Sequence, residues 1–426
     1  MLKNIFTIAA LFIAVSLYSD DSVFNMFFAD GAVRYDFELI GNSETVEAVH
    51  VQSKYLLSWG GNPSCLTDEL NYGTFRYRIF DIELDSLIFS KGFSPLFHEW
   101  QMTEEAITRI RSFYQALFFP RPLNNVKIIV EQRDAQNLWH EVFIDTFRVD
   151  DVFVIDETPD YYEVDTVMYH GHASGKVDVV LLAEGYTLAE MDKFSADARR
   201  MIDSLFDAEP FKSNKEKFNV IGLKVPSAES GVDKPGERIY KNTAFNSHFY
   251  TFGSPRYLTV TDMKAVYDAL DAVAWDQLYV LVNSSRYGGG GCYNFFNVSS
   301  VDHERSAFVF CHEFAHGFAG LADEYYTSST AYDNFYNTEI EPVEPNITSL
   351  VNFDSKWKDM LSVNVPVPTP RTEEYNNSVG VFEGGGYMSK GIYSPVQSCW
   401  MKEESAGGFC PVCRRAIERV ILLHTK

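Results

Sequence analysis

Residues 311–326 read "CHEFAHGFAGLADEYY". His312 and His316 stand four positions apart. On an α-helix that spacing is about 40° of rotation and about 6 Å of rise, so both imidazoles address one point. Two neutral imidazoles on one helix face, with the carboxylate of Glu313 beside the first, are the residues that zinc-assisted hydrolysis needs. His312 and His316 serve as metal ligands, and Glu313, which does not bind the metal, serves as general base. The preceding "SAFVF" (306–310) continues apolar helical spacing, which predicts an active-site helix from about Asp302 to Ala319 with one face buried.

A catalytic zinc takes three protein ligands, and this motif supplies two. In the metzincin pattern HExxHxxGxxH, or its variant ending in Asp, a Gly turns the chain after the helix and the last residue returns to the metal. Here Ala319 holds the position of that Gly, and Gly320 follows one residue later. Gly320 can adopt the left-handed conformation that ends a helix. Three residues beyond it is Asp323, the expected third ligand, with Glu324 as the alternative.

Composition is ordinary for a globular protein: 46% hydrophobic and 22% charged residues over 426 positions suit two packed domains. A net charge of −23 argues against nucleic acid as partner, since binding it requires clustered Lys and Arg. The start, "MLKNIFTIAALFIAVSLYSDDS", has Lys3, an apolar run from Ile5 to Leu17 and small residues at Ser16 and Ser19. It predicts a signal peptide over 1–19, no stable membrane insertion once this is cleaved, and a bacterial protein that is secreted, periplasmic or on the cell surface. In such a compartment a local disulfide is expected among Cys399, Cys410 and Cys413, with Cys292 a further candidate. A structural zinc on Cys399, Cys410 and Cys413 competes with it but lacks an evident fourth ligand.

Outward from the motif, period-two patterns in "GAVRYDFELIGN", "GTFRYRIFDIEL" and "NVKIIVEQRD" predict an N-terminal β-sandwich over 20–155. "TEEAITRIRSFYQALF" (103–118), opened by Thr103 with Glu104 and Glu105 behind it, predicts one helix there, ended by "FPRP". The polar stretch from Asp156 to Asp178 marks a boundary. From 165 to 426 strands alternate with helices, which predicts an α/β catalytic domain and an overall α+β or α/β class. Its strands are "VDVVLLAEGYT", "FNVIGLKVPS" and "QLYVLVNSS". Its helices are "LAEMDKFSADARRMIDSLF", with Leu188, Met191, Phe194 and Ala198 inward, "DMKAVYDALDAV" and the closing "PVCRRAIERVILL". Residues 327–395 read as mostly irregular. "YGGGG" (287–291) reads as a strand edge open to an extended peptide. Glu229 and Asp233 suit a solvated turn better than calcium, and His170, His172, His248 and His303 suit surface or packing roles.

The run "HEFAHGFAGLADEYY", with "VVLLAEGYTLAEMDKF", "YGGGGCYNF", "YSPVQSCWM" and "FCPVCRRAIERVI", resembles the IgA-peptidase family of secreted bacterial zinc metallopeptidases, which is metzincin-like. The resemblance spans both regions. It implies Zn2+ on His312, His316 and Asp323, Glu313 as base, and a polypeptide or glycoprotein substrate. It also implies that Met401 forms the Met-turn, a tight turn beneath the metal. Glu403 stands where some metzincins carry a transition-state tyrosine, so Tyr393, Tyr325 and Tyr387 are alternatives for stabilising an oxyanion. Two other readings remain: a zinc hydrolase of cell-wall or glycoprotein peptides, and a binding or adhesion protein with a vestigial peptidase fold.

Overall fold

The structure, a computed structural model, describes residues 20–326 and 335–425. The expected signal peptide over 1–19 lies outside the described residues. The fold is mixed α+β. The N-terminal part runs α1 (Asp20–Phe27), β1 (Phe28–Gly41), β2 (Val46–Leu56), β3 (Phe75–Asp81), β4 (Ser86–Phe93), α2 (Leu96–Gln101), α3 (Glu104–Thr108), β5 (Arg111–Pro122), β6 (Val126–Arg133) and β7 (Trp139–Phe147). Strands β2-β1-β5 form one antiparallel sheet and β4-β3-β6-β7 another. Val33, Tyr35, Phe37 and Leu39 of the first share one core with Phe75, Tyr77, Ile79, Ile128 and Val130 of the second. Alternate residues of β1 and β3 point into that core because successive side chains of a strand face opposite ways.

The helix expected over 103–118 is present only as α3. Thr103 stands at its start, and from Arg111 the chain is strand β5, paired with β1 from Gly41↔Arg111 to Phe28↔Pro122. The physical reason is burial on both sides. Leu117 and Phe119 enter the N-terminal core, while Phe118 and Ala116 pack against the core of the second region. A strand covered on both faces loses its alternation, and its apolar run then resembles a helix.

The second region runs β8 (Glu163–Met168), β9 (Val177–Glu184), α4 (Met191–Phe206), β10 (Phe218–Lys224), β11 (Ser247–His248), β12 (Thr259–Val260), α5 (Met263–Leu270), β13 (Gln277–Val282), β14 (Gly289–Cys292), β15 (Phe296–Ser300), α6 (Ser306–Ala319), β16 (Phe382–Gly385), β17 (Met388–Ser394) and α7 (Pro411–Thr425). Six strands make one sheet in the order β14-β15-β13-β9-β10-β8. The inner four are parallel, and the two edges run antiparallel. β9 is buried at every position. Its Val177, Val179, Leu181 and Ala183 face α4, α6 and α7, and its Val180 and Leu182 face α5. Both faces are thus covered, as the continuous apolar run of a parallel strand requires. On α4, Met191, Phe194 and Ala198 are buried as expected, but Leu188 precedes the helix and is exposed. The segment expected to be irregular holds the hairpin β16–β17. No described helix is long and apolar enough to cross a membrane.

The two regions are joined by a buried charge. Arg34 on β1 is fully buried and donates to Asp36 at 2.8 Å, to Asp268 at 2.7 Å and to Asp271 at 3.0 Å, the last two at the end of α5. Burial opposes its charge, but the attraction of Asp36, Asp271 and Asp268 outweighs that and raises its pKa. Removing Arg34 leaves the fully buried Asp36 without its cation, at a cost of about 3–5 kcal/mol. Arg34→Met is therefore expected to lower unfolding free energy by about that much in urea melts. A loss below about 1 kcal/mol would show that the cluster does not couple the regions.

Candidate active site

The His-Glu-x-x-His stretch lies on α6, whose Phe310, Phe314 and Phe318 anchor one face in the core while His312, Glu313 and His316 line a cleft. The helix begins at Ser306, four residues later than expected, after a turn closed by the Ser306 N–H to the His303 carbonyl at 3.0 Å. It stops at Gly320, which takes φ +59° and donates its N–H to the His316 carbonyl at 3.0 Å. A Cβ here would adopt the left-handed region that only Gly enters freely. The chain then reverses. Leu321 presents its carbonyl to His316 Nδ1 at 2.6 Å, and Ala322 is held through both backbone groups by the side chain of Asn346, each at 2.8 Å.

This reversal delivers Asp323 to the histidines. Its Oδ1 lies 3.0 Å from His312 Nε2 and 3.4 Å from His316 Nε2, and the two Nε2 atoms are 3.1 Å apart. His312 Nδ1 faces the carbonyl of Trp400 at 2.8 Å. A carbonyl can only accept, so each Nδ1 donates and each Nε2 turns its lone pair toward Asp323. Asp323 Oδ1 is buried without a hydrogen-bond partner. Three electron-rich atoms facing one another in a buried place need a positive charge among them. Burial opposes the His316 charge, but Asp323 outweighs it and pushes the His316 pKa up to about 9. Asp323 in turn is held well below the usual carboxylate range, burial notwithstanding, by the two histidines.

Glu324, the alternative third ligand, does not join them. Its backbone N–H donates to the Met401 carbonyl at 2.7 Å, and its side chain turns the other way, to Asn346 at 3.1 Å and Cys413 at 3.2 Å. Consecutive residues of an extended segment point to opposite sides, so only one of the two adjacent carboxylates can reach the histidines.

Asp323 is clamped by the turn of β16–β17. Gly386 donates its N–H to the Asp323 carbonyl at 2.8 Å, Tyr387 to that of Tyr325 at 3.0 Å, and the Tyr387 hydroxyl donates to Asp323 Oδ2. Tyr387 has φ +64°, uncommon for an aromatic residue, and this aims its ring inward. The ring of Tyr325 packs edge-on against that of Tyr387, centroids 5.3 Å apart. Tyr325 and Tyr387 line the cleft, whereas Tyr393 does not, because its backbone pairs with Thr348 on β17's far side. Glu403 is tied to Ser398 at 2.8 Å, away from the site. Met401 is fully buried and its backbone supports the 323–324 segment.

The cleft, about 1200 Å³, is walled on one side by β14 and on the other by the N-terminal region. β14 is the sheet edge expected at 287–291. It touches α6 so closely that a Cβ on Gly291 would meet the Glu313 carbonyl at 2.4 Å and His316 Cβ at 3.0 Å. From α2, Glu99 reaches into the cleft, bonded to the Tyr257 hydroxyl and to Cys292 Sγ at 3.4 Å. Nothing in the sequence marked Glu99, because its partners are distant in the chain. Glu313 sits at the floor, and burial, more than the opposing charges of His312 and His316, raises its pKa. Elsewhere, Glu229 and Asp233 accept from the backbone N–H groups of Asn242 and Lys241, as turn carboxylates do. Among the described residues no disulfide is formed, contrary to expectation, and Cys292 is engaged with Glu99 instead.

Two family models match the chain. That of IgA Peptidase M64 matches residues 166–376 and 371–421, and that of the Peptidase M64 N-terminus matches residues 23–144. No curated protein matches it. The first match contains the histidines, Glu313, Asp323 and Met401, and the second covers the β-rich region that walls the cleft. The chain belongs to the M64 family and is a peptidase, whose substrate is a polypeptide.

Proposed function

We propose that the protein is a secreted zinc endopeptidase of metzincin type, with a catalytic domain over 165–426 behind a β-sandwich over 20–155. The observation that carries this reading is the triangle of His312 Nε2, His316 Nε2 and Asp323 Oδ1, with sides of 3.0, 3.1 and 3.4 Å. Zn–N and Zn–O bonds of about 2.0–2.1 Å at the tetrahedral angle separate neighbouring ligand atoms by about 3.3–3.4 Å. The three side chains are thus spaced as ligands that would hold a zinc ion, and all three line the cleft. Zinc held there would supply Lewis acidity to a peptide carbonyl and lower the pKa of water to about 7.

The chain's own residues do the rest. Glu313, buried where it lines the cleft with His312 and His316, would take a proton from the attacking water and return it to the leaving amine. Its burial raises its pKa, which favours carrying that proton. Tyr387, whose hydroxyl already reaches Asp323, orients the carboxylate, and it and Tyr325 stand near the position of an oxyanion. The edge strand β14 pairs with an extended substrate backbone, as strand addition does elsewhere.

Glu313→Gln is expected to lower turnover about 10²–10⁴-fold while leaving zinc content unchanged. Unaltered turnover would remove Glu313 from the mechanism. Tyr387→Phe is expected to weaken zinc binding about 10–100-fold in chelator competition, through a loosened Asp323. Equal affinity would mean that Tyr387 does not hold the ligand. Gly291→Ala drives a Cβ into the backbone of Glu313 and is expected to cost about 10–100-fold in kcat/KM and to lower the melting temperature as well. A fully active variant would show that the β14–α6 contact has slack.

A further inference from the structure

Behind the histidine site, Glu324, Cys399, Cys410 and Cys413 bring one ligand atom each within 4.8 Å of one another, and all four are buried. Cys399 Sγ and Cys413 Sγ are 3.8 Å apart. A disulfide would hold them at about 2.05 Å. Zn–S bonds of about 2.3 Å at the tetrahedral angle hold two sulfurs about 3.8 Å apart, and a sulfur and a carboxylate oxygen about 3.5 Å apart. Cys413 Sγ to Glu324 Oε1 is 3.2 Å.

Two further observations point to a cation. Glu324 Oε2 is fully buried and has no hydrogen-bond partner. Backbone N–H groups also aim at the sulfurs: that of Cys410 at Cys399 Sγ (3.3 Å), and that of Cys413 at Cys410 Sγ (3.4 Å). Such donors favour thiolate over thiol, as does the start of α7, the 15-residue helix whose first turn carries Cys413. The spacing Cys410-Pro-Val-Cys413 is that of paired zinc-binding cysteines. The fourth ligand that the sequence did not reveal is Glu324.

We propose that Cys399, Cys410, Cys413 and Glu324 hold a second zinc ion in a closed, structural site. It would pin three segments at one point: the 323–324 carboxylate pair, the 399–401 turn whose Trp400 carbonyl orients His312, and the start of α7. Asp323 and Glu324 would then serve two centres from one stretch of backbone. With all four corners taken by protein, this ion has no open position and no part in hydrolysis.

The test uses the full chain carrying His312→Ala and His316→Ala, purified without chelator. Elemental analysis is expected to find about one zinc per chain, with a sulfur-dominated first shell by X-ray absorption. After denaturation with chelator, all six thiols should titrate. Adding Cys410→Ser and Cys413→Ser should abolish that zinc. If this last protein does not fold, the absorption spectrum of the double-histidine variant decides alone. Absence of zinc from that variant, a shell without sulfur, or four thiols in place of six would overturn the proposal. Because the histidine site is already disabled, failure here is distinct from failure of the peptidase reading.

Discussion

The site depends on where α6 stops. Gly320 ends the helix in a left-handed conformation, and the four residues after it are then bound on every side: Leu321 by His316, Ala322 by Asn346, Asp323 by Tyr387, Glu324 by Met401. A helix one turn longer would carry Asp323 away from the histidines. The αL cap brings the carboxylate of Asp323 up to the two histidines of the helix. The ring of Tyr293 stands 3.3 Å from where a Cβ of Gly320 would lie, so the turn is crowded as well as left-handed.

The surrounding fold holds this corner rigidly. The aromatic face of α6 is buried against α4 and α7, and its other face lies against the glycines of β14. Trp400 and Met401 present backbone carbonyls, not side chains, to His312 and Glu324. Main-chain groups cannot change rotamer, which suits them to fixing a tautomer and an angle. The N-terminal region closes the cleft from the opposite side, and the Arg34 cluster ties it to α5.

Much of this was legible along the chain. His312, Glu313 and His316 follow from helical spacing, and the offset Gly320 with Asp323 follows from the turn it permits. The central strands announced themselves as unbroken apolar runs. What escaped reading had non-local causes. β5 looked helical because both its faces are buried, one by each region. Glu324 looked like a rival to Asp323 because the cysteine that claims it lies 89 residues away. Glu99 drew no notice because Tyr257 meets it across 158 residues. Of the three tyrosines considered, only the turn geometry of β16–β17 separates Tyr387 from Tyr393.

The central claim is that the adjacent carboxylates part company, Asp323 to the histidines and Glu324 to the cysteines. An anomalous difference map at the zinc edge, from crystals of the full chain, tests it most directly. The account predicts a peak bonded to His312, His316 and Asp323, with a second among Cys399, Cys410, Cys413 and Glu324. A peak joining Glu324 to the two histidines, or no peak between them at all, would contradict it.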